Sequence, residues 1–97
     1  VKPPKVNDAL LVKVYGGLSV PPAQLLAELE EHAVQHRERL AEYRVSEARY
    51  VAMTPEQRVP YRLPYLTLRR GILYEEDWLR WLDEARIELE QMAAGLQ

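Results

Sequence analysis

The chain has 97 residues, of which 47% are hydrophobic and 29% are charged, and its formal net charge is −2. This length and composition indicate one small globular domain, and the weak negative charge argues against binding a DNA or RNA backbone. The absence of cysteine excludes disulfides and thiolate metal sites and fits a reducing compartment. The sequence contains no signal peptide and no apolar run of membrane-spanning length, so no membrane association is expected.

The first predicted helix is short. Residues 1–6 carry two prolines and are expected to be an extended linker, with residues 7–97 forming the folded domain. Asn7 is the predicted N-cap of the helix, and Gly16 and Gly17 end it. Its apolar residues are Leu10, Leu11, Val14 and Tyr15. They cover too little area to stand alone, so we expect this helix to pack on longer ones.

The second predicted helix begins at the sequence Ser-Val-Pro-Pro that ends at Pro22 and continues to about Met53 without glycine or proline. Eight of its residues alternate spacings of three and four: Leu26, Leu29, Ala33, His36, Leu40, Tyr43, Glu47 and Tyr50. This is a heptad-like seam on a helix roughly 45–50 Å long. Such a rod needs an equally long partner.

A break follows between residues 54 and 64, where three prolines prevent a continuous helix. Thr54, followed by proline and then by Gln57, can start a single helical turn. The segment reverses the chain, and we expect Tyr61 and Tyr65 to pack across its end. The two long helices should therefore form an antiparallel hairpin.

The last predicted helix runs from Tyr65 to about Gly95 and contains both tryptophans. One apolar row at helical spacing consists of Leu68, Ile72, Leu79, Leu82 and Leu89. A second row beside it consists of Trp78, Leu82, Ala85, Leu89 and Met92. Together they are wider than one partner helix needs, so we expect a second subunit to cover part of this surface. The predicted fold is all-α: one short helix, then an antiparallel hairpin that pairs into a dimeric helical bundle.

The predicted interface of this homodimer combines the last helix with the first. Its residues are Leu10, Leu11, Tyr15, Leu68, Ile72, Leu79, Leu82 and Leu89. A charged residue in place of Leu79 or Leu82 would be desolvated and unpaired, which should give monomers or aggregates.

Tyr74, Trp78 and Trp81 are candidates for an effector pocket, since small-molecule sites are apolar and often lie between bundle helices. The alternative is that these aromatic side chains fill the core or anchor the interface. No convergent polar group is evident beside them, which favours the alternative.

A metal site is the other chemical hypothesis, because Glu28, His32 and His36 share a helix face. The HExxH zinc motif is absent, since Ala33 stands where the glutamate is required. No nucleophile with a base, phosphate-binding loop or cofactor motif is present. We therefore predict no metal, no cofactor and no enzymatic activity.

Arg69 and Arg70 form a basic pair near a helix start. They could hold a carboxylate or phosphate. More often such a pair is solvated, with salt bridges to acidic residues nearby in sequence, here Glu75, Glu76 or Asp77. Those three acidic residues are consecutive on a helix and should splay apart, so they are not paired catalytic carboxylates.

The order of these segments resembles the C-terminal domain of PadR-like transcriptional regulators, also described as the virulence-activator-alpha C-terminal domain. The most specific residues are Leu66, Leu68, Arg69, Arg70, Gly71 and Ile72, followed by the Trp81-Leu82-Asp83-Glu84-Ala85 run. Pro21, Pro22, Leu25 and Leu26 also match. The resemblance covers nearly the whole chain.

The resemblance implies a bacterial, cytoplasmic regulator whose winged-helix DNA-binding domain precedes this segment, with residues 1–6 as the join. It also implies that the helical part makes the dimer, so DNA would be bound only through the N-terminal domain. Some relatives respond to aromatic compounds, and no residue here specifies that property. An effector-sensing bundle using Trp78 and Trp81 is the alternative function.

Overall fold

The computed structural model describes residues 9–16 and 20–95, and these residues contain helices and turns but no strand. The helices are α1 (Ala9–Tyr15), α2 (Pro22–Val51), α3 (Pro55–Arg58) and α4 (Arg62–Ala93), with a 3-10 turn at Val59–Tyr61 before α4. The predicted all-α fold, with one short helix and two long ones, is confirmed. The linker at 1–6 and the cap at Asn7 lie outside the described residues. None of the described helices combines the length and hydropathy that a membrane span requires.

The heptad-like seam of α2 is confirmed by burial. Leu29, Ala33 and His36 are buried, and the other five seam residues are half-buried. Because the seam continues to Tyr50, nearly the whole length of α2 has a covered face. The helix lacks proline and glycine beyond its first residue, so nothing in the chain interrupts its backbone hydrogen bonds.

The segment between the long helices is a structured turn. Thr54 caps α3 with the predicted capping box: its hydroxyl accepts from Gln57 N at 3.2 Å, and Gln57 Oε1 accepts from Thr54 N at 2.9 Å. Arg58 then reaches back and donates to the carbonyl oxygens of Tyr50 at 3.1 Å and Val51 at 2.6 Å. These carbonyls lie at the C-terminal end of α2, where a cation stabilises the helix, and the Tyr50 oxygen also accepts from Met53 N at 3.1 Å.

The start of α4 differs from the prediction. The helix begins at Arg62, three residues before Tyr65, and includes Pro64 in its first turn. A proline is tolerated there because the first N–H groups of a helix have no intrahelical acceptor. Tyr65 packs across the hairpin end as expected, stacked on Tyr50 with ring centroids 3.9 Å apart, whereas Tyr61 is exposed.

The chain divides into two compact units, and both long helices contribute to each. The first, here called the terminal unit, consists of Val1–His32 and Leu82–Gln97. Its core is aliphatic: Leu10, Leu25, Leu29, Leu82 and Leu89 are buried. On its surface Lys13 of α1 donates to Glu28 of α2 at 2.7 Å.

The second, here called the hairpin unit, consists of Ala33–Trp81. Within it the partners on α4 come earlier in the chain as α2 advances, which makes the pair antiparallel, as predicted. The contacts that define this direction are His36 with Glu75, Tyr43 with Gly71, Glu47 with Arg69, and Tyr50 with Tyr65. Its fully buried residues are Ala33, His36, Ile72 and Glu75.

Candidate functional site

The interior of the hairpin unit contains a polar cluster that connects α2 to α4. His36 and Glu75 are only 6% and 1% exposed, and Nδ1 of His36 is hydrogen-bonded to Oε2 of Glu75. Arg39, one turn further along α2, donates from Nη1 to Oε1 of the same carboxylate at 3.5 Å. Both carboxylate oxygens therefore have partners on the opposite helix, which a buried carboxylate requires.

Two tryptophan rings pack beside His36. Trp78 stacks on His36 with ring centroids 4.9 Å apart and planes inclined by 13°. Trp81 meets Trp78 edge to face at 5.8 Å. Trp78 thus packs in the hairpin contact, as expected if the tryptophans fill the core.

Glu75 is the central residue that the sequence reasoning missed. It lies between Ile72 and Leu79 at the same spacing of three and four as the apolar row of α4. A carboxylate in that row was the available signal, together with a histidine at a seam position of α2. Each one is unusual in an apolar row, and a buried pair explains both.

Gly71 permits a close approach between the helices of the hairpin unit. A Cβ atom at position 71 would lie 3.1 Å from Cε2 of Tyr43, below an ordinary carbon–carbon contact of about 3.5–4.0 Å. Glycine inside a helix costs roughly 1 kcal/mol relative to alanine. The side chain of Tyr43 occupies the space that this glycine leaves.

Two ion pairs also connect α2 and α4 in this unit, one exposed and one partly buried. Arg44 donates to Glu76 at 2.6 Å, and Arg69 donates to Glu47 at 3.0 Å. The prediction that Arg69 pairs with an acidic residue among 75–77 is therefore wrong, because Glu47 of the facing helix α2 lies within reach. The three acidic residues 75–77 do splay apart. Glu75 is hydrogen-bonded to His36 and Glu76 to Arg44, whereas Asp77 binds neither of these two residues.

A shallow depression of about 330 Å³ lies on the surface of α4. It is lined by Arg70, Leu73, Tyr74, Glu76, Asp77 and Arg80. Of the predicted effector residues it includes Tyr74 but neither tryptophan. Effector binding at Tyr74, Trp78 and Trp81 stays a prediction.

The predicted dimer-interface residues fall into three classes of exposure. The buried ones are Leu10, Ile72, Leu82 and Leu89, the half-buried ones are Leu11, Leu68 and Leu79, and Tyr15 is 72% exposed. Neighbours in the same chain already cover the buried four, so Leu82→Glu would disturb the terminal unit whether or not a dimer forms. Their role in a dimer stays a prediction.

The metal hypothesis has no geometric support in the described part of the chain. No three His, Asp or Glu side chains there are arranged to hold a metal ion. Glu28 binds Lys13, and His36 binds Glu75, so two of the three proposed ligands are engaged elsewhere.

One family model, described as virulence activator alpha C-term, matches residues 6–90. The chain belongs to this family. The description is that of the C-terminal region of an activator, which is a regulatory rather than an enzymatic family. No curated protein and no solved structure matches the chain.

Proposed function

We propose that the chain is the C-terminal dimerisation domain of a bacterial, cytoplasmic PadR-like regulator. A winged-helix domain outside this sequence would bind DNA, and the helical domain would hold two such domains at a fixed separation. The observation that carries the proposal is the family match over residues 6–90, together with the resemblance of residues 66–72 and 81–85 to PadR-like C-terminal domains.

The packing of the hairpin unit supports a spacer role. A winged helix reads one half-site, and a two-fold dimer sets the distance between half-sites. That task needs a stiff connection, and here a buried polar cluster, two further ion pairs and a capped turn all connect α2 with α4. The net charge of −2 suits a domain that leaves DNA binding to another part of the protein.

Exposed apolar residues support the existence of a partner. In the first half of α4, Leu63, Leu66 and Leu73 are all at least half exposed, and Tyr74 is nearly so. Several large apolar side chains exposed on one helix of a small domain are typical of a protein interface.

Light scattering of this chain over a wide concentration range tests the proposal. We expect a mass about twice the 11.3 kDa of one chain, persisting to about 1 μM, the affinity range of ordinary specific interfaces. Fluorescence anisotropy with labelled duplex DNA should show no binding by this chain. A monomer at every concentration would overturn the proposal.

A further inference from the structure

The outward side of α4 in the hairpin unit carries a strip of exposed residues, here called the outer strip. It consists of Leu66, Arg70, Leu73, Tyr74 and Asp77. Leu66, Leu73 and Tyr74 are 61%, 50% and 48% exposed. Spacings of three and four place Leu66, Arg70, Leu73 and Asp77 on one side of the helix, with Tyr74 beside them. The buried Ile72 and Glu75 lie on the opposite side, so packing within the chain leaves the outer strip uncovered.

The two charges of the outer strip have no partner among the described residues. The side chains of Arg70 and Asp77 make neither a hydrogen bond nor an ion pair there. Their immediate neighbours do, since Arg69 binds Glu47 and Glu76 binds Arg44. One cation and one anion, two helical turns apart, are therefore available to a partner on either side of Leu73 and Tyr74.

The order of the two charges along the outer strip suits antiparallel pairing with the outer strip of a second copy. When two helices pair antiparallel about a two-fold axis, residues equally far from the axis on opposite sides face each other. An axis between Leu73 and Tyr74 places Arg70 opposite Asp77 of the second copy, and Asp77 opposite the second Arg70. It also places Leu73 of each copy against Tyr74 of the other. The same strip in parallel pairing would place like charges together.

Other positions of the axis fit less well. Centring the axis between Asp77 and Arg80 pairs Asp77 of each copy with Arg80 of the other. It also sets Leu73 against the charged Glu84. Centring it on Asp77 sets two carboxylates against each other. Centring it on Leu73 sets Arg70 against Glu76 and Asp77 against Arg69, but these two partners already bind Arg44 and Glu47 of α2. Of the four positions compared, the axis between Leu73 and Tyr74 is the one that pairs both unpartnered charges with each other and keeps the apolar side chains in contact.

We infer that the outer strip of α4 is the surface through which two copies of this chain pair, antiparallel, with two symmetric Arg70–Asp77 ion pairs around a Leu73–Tyr74 centre. The inference rests on the proposed dimerisation and adds the surface and the orientation. The depression between Arg70 and Asp77 supports it, because a concave site lined by Leu73 and Tyr74 can receive an apolar side chain of the second copy.

Charge reversal tests the inference directly. Arg70→Asp alone places two acidic residues in each ion-pair position of the homodimer, and Asp77→Arg alone places two basic residues there. We expect each variant to dimerise at least about tenfold more weakly than the unchanged chain, because like charges at an interface repel. Sedimentation velocity over a concentration series measures this change.

Mixing the two variants supplies the sharper result. In a heterodimer of Arg70→Asp with Asp77→Arg, each ion-pair position again holds one acid and one base. We expect equimolar mixing to restore the dimer, with native mass spectrometry detecting the mixed species in large excess over either homodimer. Recovery on mixing also shows that both variants are folded, which far-UV circular dichroism checks independently.

The other long helix offers a matched control. Glu42 and Arg49 are exposed, oppositely charged and also seven residues apart, and neither has an ion pair among the described residues. Glu42→Arg and Arg49→Asp should leave dimerisation unchanged, since α2 of the hairpin unit exposes only valines as large apolar residues.

The outcomes distinguish a failure of the proposed pairing surface from a failure of dimerisation itself. If the unchanged chain is a monomer throughout, dimerisation itself fails. If the unchanged chain dimerises but both outer-strip variants dimerise equally well, the surface is wrong and dimerisation stands. Weakened variants that do not recover on mixing would also overturn the antiparallel arrangement.

Discussion

The cores of the two units differ in chemistry. Among the described residues of the terminal unit, those classed as buried are aliphatic, such as Leu25, Leu29 and Leu82. The hairpin unit buries an ionisable pair, His36 and Glu75, between its two helices. Aliphatic contacts are non-directional and tolerate repacking, whereas a buried pair has one satisfactory geometry. The comparison teaches that packing area alone can hold one unit together, while hydrogen bonding fixes which residues of α2 and α4 meet in the other.

Breaking the buried pair should give the largest effect. Glu75→Ala removes the carboxylate that is hydrogen-bonded to the buried His36 and that also accepts from Arg39. We expect a loss of about 3 kcal/mol in the free energy of unfolding, measured by urea denaturation followed by circular dichroism.

The double variant His36→Leu with Glu75→Leu is the control for that loss. Replacing both partners by apolar side chains of similar size should restore most of the stability, because neither buried position then holds an unpaired polar group and Arg39 is exposed to solvent. If Glu75→Ala costs less than about 1 kcal/mol, the pair does not organise the hairpin unit.

A conservative change in the terminal unit should have an intermediate effect. Leu29→Met keeps the side-chain volume and apolar character, so we expect a loss of about 1 kcal/mol. The same urea titration measures it. A loss as large as that of Glu75→Ala would mean that the aliphatic core is as geometrically demanding as the polar one.

The smallest effect is expected at the neighbouring exposed ion pair. Glu76→Ala removes one of the two carboxylates that accept from Arg44, and the other, that of Glu47, remains. The Arg44–Glu76 pair is short but open to solvent. We expect a change within about 0.5 kcal/mol, because exposed pairs are screened by water and salt. Repeating the titration in high salt should leave this small difference near zero. A loss above about 1 kcal/mol would contradict the distinction between buried and exposed charge.

The charge of Arg86 in the terminal unit does not alter the comparison near neutral pH. On the exposed side of α4, Arg86 donates to Asp83 at 2.6 Å and to Glu90 at 2.9 Å. These hydrogen bonds, with the two nearby negative charges, raise the pKa of Arg86 further above its already high ordinary value. The guanidinium therefore stays charged throughout the range in which the protein is folded and adds no pH dependence of its own.

The sequence by itself determined the elements and their inward faces. The seam of α2, the hairpin turn and the capping box at Thr54 all follow from periodicity and from proline and cap chemistry, which act within a few residues. The family resemblance also rests on sequence order, and the match over residues 6–90 agrees with it. The beginning of α4 lies three residues before the predicted Tyr65, because Pro64 is tolerated in the first helical turn.

Only the tertiary structure decided which side chains meet across the hairpin. Periodicity placed His36 on an inward face but gave no distance to Glu75, 39 residues later. Arg69 binds Glu47 of the facing helix and not an acidic neighbour in its own, because antiparallel packing brings that carboxylate within 3.0 Å. The same packing left Arg70 and Asp77 facing outward. A repeat of three and four fixes the face of a helix, whereas the partner on that face depends on the register between two helices, which packing and hydrogen bonding set together.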